Sequence, residues 1–135
     1  MNLQRVFSEC GQSPWLDNLQ RHYLESGTLQ ALISRGVRGL TSNPTIFQKA
    51  IQGSHDYDEQ FGSAIAGGLS TLEAYWGMVC TDIEGASQLF TPLYEESGGL
   101  DGFVSVEVDP RLARNGEKTL EAGLQLSLIH ISEPT

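Results

Sequence analysis

Ten residues, Asp101-Gly102-Phe103-Val104-Ser105-Val106-Glu107-Val108-Asp109-Pro110, restrict the fold more than any other part of this sequence. Their strict alternation puts Val104, Val106 and Val108 on one strand face and Phe103, Ser105 and Glu107 on the other. Two shorter strand patterns precede this one, Ser13 to Asp17 and Gly36 to Thr41, and each closes on a polar residue. A helical pattern follows every one of the three. Strand and helix alternating in this way predict an α/β architecture with parallel strands. A complete (β/α)8 barrel takes about 250 residues. The chain has 135. Periodicity therefore leaves two options, a small open α/β domain or the first three or so strand–helix units of an incomplete barrel.

The helical patterns carry their own punctuation. Leu24, Leu29, Leu32 and Ile33 form an apolar stripe between Leu19 and about Arg35, with Gly27 expected to split it. Pro44 suits a first helical turn, where its missing N–H is no loss, and Ser42 or Asn43 is placed to cap the helix bearing Ile46, Phe47, Ala50 and Ile51. Tyr57 to Ile65 has helical spacing. Ser70-Thr71-Leu72-Glu73 is a capping-box pattern. Beyond it, Leu72, Trp76, Val79, Ile83, Ala86 and Phe90 recur at three- and four-residue steps. Gly77 is expected to interrupt that face, with a fresh start at Thr81, Pro92 to mark a boundary before Tyr94, and Gly98-Gly99 to stop the helical region. A last helix is expected near Glu117. Trp76, Phe90 and Tyr94 read as packing residues, and His22 and His55 as surface residues.

Charge and cysteine content exclude several functions. Seventeen acidic residues against eight basic ones give a net charge of -9, which argues against nucleic acid and anionic membranes as partners. A small anionic substrate is still compatible, since it needs only one local pocket. Cys10 and Cys80 lack metal-ligand spacing and are expected to be buried thiols, not a disulfide. The N-terminus has no apolar signal core, and no window reaches the ~20 apolar residues of a membrane span. The expected location is the cytoplasm.

Taken alone, Asp17 reads either as a turn or cap residue or as a catalytic acid, and Asn43 either as a helix cap or as a site residue. Glu107 is expected to be a buried acid in need of a partner or a function. Three segments add to this reading: Gln12-Ser13-Pro14-Trp15-Leu16-Asp17-Asn18-Leu19, Gly36-Val37-Arg38-Gly39-Leu40-Thr41-Ser42-Asn43-Pro44-Thr45-Ile46-Phe47, and Asp101 to Leu112. In order and each ending a strand pattern, they resemble the transaldolase family, in the bacterial branch seen in actinobacteria and cyanobacteria. The resemblance runs from about residue 10 to about residue 125.

It implies a (β/α)8 barrel with the first units present here. It also implies transfer of a dihydroxyacetone unit from sedoheptulose 7-phosphate or fructose 6-phosphate to an aldose phosphate, in the non-oxidative pentose phosphate pathway. A lysine Schiff base carries the unit, with no metal and no organic cofactor. By the same resemblance Asp17 is the acid handling the proton of the hydroxyl next to the breaking bond. Asn43 binds the dihydroxyacetone moiety. Glu107 is the acid/base residue of carbinolamine formation and breakdown.

The imine-forming lysine is not matched in this chain. Lys49 and Lys118 both fall on helix patterns away from strand ends, and Arg111 and Arg114 read as solvated. Residues 1–125 are assigned to the N-terminal part of the barrel. Residues 126–135, from Leu126 through His130 and Glu133 to Thr135, depart from the family pattern. They match the translation of a transposase-type sequencing adapter, so they are read as a non-native tail. The chain alone is expected to lack activity. The rival readings are a fructose-6-phosphate aldolase-like Schiff-base lyase and a small non-catalytic binding domain. A downstream sugar-phosphate isomerase domain, as in some relatives, is left open.

Overall fold

A computed structural model describes residues 2–127 and turns all three strand patterns into short parallel strands. These are β1 (Trp15–Asp17), β2 (Gly39–Thr41) and β3 (Phe103–Ser105). The helices are α1 (Leu3–Cys10), α2 (Arg21–Glu25), α3 (Thr28–Ser34), α4 (Pro44–Gln52), α5 (Asp58–Ala66), α6 (Thr71–Glu96) and α7 (Gly116–Leu126), with a 3-10 turn at Pro110–Leu112. The strands lie side by side in sequence order, Trp15 opposite Gly39 opposite Phe103, and Asp17 opposite Thr41 opposite Ser105. Of the run expected to be foreign, Leu126 closes α7 and the part from Leu128 to Thr135 lies outside the described residues.

Among the described residues one sheet face is covered and the other is bare. Leu40 from β2 is buried with Leu19, Leu29, Phe47, Val79, Ile83, Ala86 and Phe90, and Leu16, Val104 and Val106 pack partly buried against them. Because side chains alternate along a strand, Trp15, Asp17, Gly39, Thr41, Phe103, Ser105 and Glu107 share the opposite face. Trp15 is 42% exposed there and Phe103 44%. A Cβ on Gly39 would sit 2.3 Å from the Trp15 ring, so the indole lies directly over the glycine.

At the N-terminal end of the sheet, the Arg38 guanidinium holds the Asp101 carboxylate at 2.6 Å and stacks 3.6 Å from the Phe7 ring centroid of α1. The Gly102 amide donates to the Arg38 carbonyl at 2.9 Å. Gly102 has φ +86°, and a Cβ there would meet the Tyr94 amide nitrogen at 2.7 Å, so only glycine lets the chain enter β3.

Several expectations change in three dimensions. The third strand pairs only over Phe103–Ser105, although the in–out alternation continues through Val108. Neither Gly77 nor Pro92 breaks α6, and no new helix starts at Thr81; the helix runs unbroken for 26 residues, about 39 Å at 1.5 Å per residue. Val79, Ile83, Ala86 and Phe90 anchor it to the core between Gly77 and Pro92, Trp76 and Leu93 pack against that core just outside them, and Thr81 donates its hydroxyl back to the Gly77 carbonyl at 2.9 Å. Gly27 does divide α2 from α3, at φ +78°. Helix α1, unmarked in the sequence reading, is capped by Asn2 and ended by Gly11 at φ +65°. The cysteines are both free, but neither is buried as expected: Cys10 is exposed because α1 buries none of its residues fully, and Cys80 is half-buried on α6. His22 and His55 are exposed, as expected. Phe90 is fully buried and Trp76 packs partly buried against the core; Tyr94 is largely exposed and meets Phe103 edge-on at 5.7 Å. Among the described residues no helix is long and apolar enough to cross a membrane.

Candidate active site

The strand register assembles the site in layers. Asp17 ends β1 directly opposite Thr41 of β2, and the Thr41 hydroxyl donates to Asp17 Oδ1 at 2.7 Å. That bond fixes the carboxylate's direction across the bare face and leaves Oδ2 free of any described hydrogen bond. The ladder extends one residue past the strands, with the Ser42 amide donating to the Ser105 carbonyl at 3.2 Å and the Ser42 hydroxyl at 2.7 Å. By the two-residue period, Asn43 then stands one layer above Thr41 and Glu107 one layer above Ser105.

Asn43 serves two purposes. Its Oδ1 accepts the Ile46 amide at 2.9 Å, which caps α4, and Pro44 occupies the first helical position. With the oxygen committed to the cap, the side-chain amide nitrogen remains as a donor to the site.

Asp17, Asn43 and Glu107, chosen from three separate segments of the sequence, line one cavity of about 410 Å³. Pro44, Thr45, Ile46, Lys49 and Pro110 complete its wall. Glu107 is exposed, not buried as the sequence suggested, because no chain covers this face of the sheet among the described residues. Lys49 also differs from expectation. It does sit on a helix, α4, but one turn beyond Thr45 and Ile46 its side chain reaches the same cavity as the strand-end acids. The bond from Thr41 to Asp17 was also missed, although the position of Thr41 two residues past Gly39 was a usable signal. Arg111 is held by Asp109 through its Nε at 2.9 Å, and Arg114 is exposed. Among the described residues no group of three or more His, Cys, Asp or Glu is placed to hold a metal ion.

A buried polar network at the start of α2 has no counterpart in the sequence reading. Asp82 of α6 is fully buried; its Oδ1 accepts Arg21 Nε at 2.8 Å and its Oδ2 accepts the Tyr57 hydroxyl at 2.7 Å. The Tyr57 oxygen in turn accepts the Arg21 amide at 3.0 Å, and the guanidinium lies 4.5 Å from the Tyr57 ring centroid. Burial, then the hydrogen bond to Asp82, raises the Tyr57 phenol well above its usual value and keeps it a donor. Burial likewise holds Asp82 above the usual carboxylate value, against the opposing pull of Tyr57 and Arg21. The network ties the start of α2, four residues after Asp17, to α5 and α6.

Parallel strands whose polar ends converge on one cavity define an α/β protein with a polar cleft at the strand C-termini. The profile described as Transaldolase/Fructose-6-phosphate aldolase matches residues 14–133, and the chain belongs to that family. Similar proteins include the transaldolase of Trichodesmium erythraeum, 45% identical over 116 residues, which cover 85% of this chain and 30% of that protein. The transaldolases of Mycobacterium ulcerans and Mycobacterium tuberculosis are each 43% identical over 122 residues, 90% of this chain and 33% of theirs. The chain thus spans about a third of the length of the curated relatives it matches.

Proposed function

We propose that this chain is the N-terminal part of a (β/α)8 transaldolase acting in the non-oxidative pentose phosphate pathway of the cytoplasm. The observation that carries the reading is the meeting of Asp17, Asn43 and Glu107 in one cavity at the strand ends. The parent enzyme moves a dihydroxyacetone unit from sedoheptulose 7-phosphate or fructose 6-phosphate to an aldose phosphate. In it Asp17, oriented by Thr41, takes the proton of the hydroxyl beside the breaking carbon–carbon bond. The Asn43 amide nitrogen donates to the dihydroxyacetone unit. Glu107, in the same cavity, exchanges protons during carbinolamine formation and breakdown. The imine-forming amine is supplied by a strand beyond this chain, because Lys49 and Lys118 are exposed helix residues, and a Schiff-base lysine needs a drier pocket that favours the neutral amine. The bare face with Trp15 and Phe103 is then the inner wall of the barrel.

A fructose-6-phosphate aldolase-like lyase is the competing activity, and the long α5–α6 hairpin favours the transferase. Borohydride trapping with fructose 6-phosphate tests both statements. The 135-residue chain is expected to gain no covalent sugar, and a longer parent chain carrying the next strand is expected to gain one. Release of free dihydroxyacetone without need of an acceptor aldose identifies the lyase instead. Sequencing genomic DNA past the codon for Gln125 tests the proposal that Leu126 to Thr135 is adapter-derived, and shows whether an isomerase domain follows.

A further inference from the structure

We propose that Tyr57 is a positioning residue for Asp17: its phenol oxygen caps the first turn of α2 and so fixes the short connection that begins at that carboxylate. The assignment rests on the reading of Asp17 as the acid that takes the hydroxyl proton, and extends it to the α5–α6 hairpin. A helix begins with amide hydrogens that have no partner inside it, and the N-cap side chain usually takes one of them. Gln20, at that position of α2, makes no such bond. The Arg21 amide instead donates to the Tyr57 hydroxyl oxygen at 3.0 Å, across 36 residues of sequence. The phenol can accept there because its own hydrogen goes to Asp82 Oδ2 at 2.7 Å. Asp82 Oδ1 holds Arg21 Nε at 2.8 Å, and the other guanidinium nitrogens reach the Met78 carbonyl at 3.4 Å and the Asp56 carbonyl at 3.5 Å. Backbone and side chain of one residue are thus gripped from α6 and from the start of α5. Tyr57 and Asp82 are both fully buried, so water does not compete for the cap.

The grip reaches Asp17 because little chain separates the two. Only Asn18, Leu19 and Gln20 stand between Asp17 and Arg21. Leu19 is fully buried in the core, and Gln20 is extended at φ -142° and ψ 146°, so the connection has little slack. At its other end, the Asp17 carboxylate is held by the Thr41 hydroxyl at 2.7 Å, on an exposed face. A displacement of Arg21 therefore presses either on the close-packed surroundings of Leu19 or on the exposed carboxylate, and the carboxylate yields more easily. Loss of the phenol cap is felt as a reorientation of Asp17.

Two NMR measurements on the 135-residue chain test this with no sugar present. In the wild type, the Arg21 amide is expected to exchange with deuterated solvent about a hundredfold more slowly than in an unstructured peptide, and about tenfold faster than that in Tyr57→Phe. The carboxyl carbon of Asp17 is expected to shift in Tyr57→Phe. It is expected to keep its wild-type position in Leu3→Ala, which loosens the core from the N-terminal end of the sheet. Unprotected exchange of the Arg21 amide in the wild type overturns the cap, whether or not either variant folds. An Asp17 signal that does not move in Tyr57→Phe, or that moves as far in Leu3→Ala, overturns the positioning role. The borohydride experiment on the longer parent chain bears on the chemistry of Asp17 and on neither signal, so the two readings fail separately. Tyr57→Phe keeps the ring that the Arg21 guanidinium stacks on, so it is expected to fold, and far-ultraviolet circular dichroism checks that it does.

Discussion

Removing the Asp82 carboxylate leaves the Arg21 guanidinium, itself only 8% exposed, without its counter-ion. A buried charge stripped of its partner costs about 3 kcal/mol or more. Asp82→Ala is therefore expected to lose at least that much stability in urea unfolding. Tyr57→Phe removes the hydroxyl that donates to Asp82 and accepts from the Arg21 amide, and is expected to cost about 1–3 kcal/mol. The double variant is expected to fall short of the sum, since both changes act on one network. Two glycines give a contrast of the same kind. Gly102→Ala puts a Cβ 2.7–2.9 Å from the backbone of Tyr94 and Phe90 in a left-handed conformation. Gly39→Ala instead meets the Trp15 ring, a partly exposed side chain free to swing away. Gly102→Ala is expected to lose about 2 kcal/mol or more, and Gly39→Ala clearly less, by the same unfolding measurement.

Helix α6 shows what local sequence can and cannot announce. Its start was legible: Ser70 Oγ accepts the Glu73 amide at 3.2 Å, while Glu73 Oε2 accepts the Ser70 amide at 2.8 Å, completing the capping box. The Ser70 backbone and then its hydroxyl hold the Glu73 carboxyl below its usual value. A lowered folded-state pKa means the cap's contribution is present above the unfolded value of about 4.3 and is lost as pH falls through the lower folded value. Glu73→Gln is expected to flatten that part of the thermal-stability profile between about pH 5 and pH 3. The boundary expected at Pro92 does not occur, because Leu89, Phe90 and Leu93 override it by packing into the core; the helix ends at Glu96, just before the Gly98-Gly99 pair that the sequence marks as its stop. Pro92→Ala restores a backbone donor within the helix and is expected to raise stability by about 1 kcal/mol. The strands and their polar ends could be read because alternation and turn residues are local. The bond from Thr41 to Asp17, the reach of Lys49 and the Arg21–Asp82–Tyr57 network depend on residues 24 to 61 apart in sequence or on a helix's direction, which no short pattern records.

At the scale of the molecule, the sheet has a sealed side and an open one. β1 and β3 each pair only with β2 among the described residues, and Trp15 and Phe103 stand exposed on the uncovered face. Open strand edges and exposed aromatics favour association. Sedimentation velocity on the isolated chain is expected to show species larger than a monomer, increasing with concentration, and Phe103→Lys is expected to reduce them. The strand order has a further consequence, for synthesis. Each later strand lies beside the one made just before it, so β2 and β3 each meet a neighbour that is already translated. Among the described strands the growing edge of the sheet is the newest one, and every residue of β1, β2 and α2 to α6 is already synthesised when β3 is made.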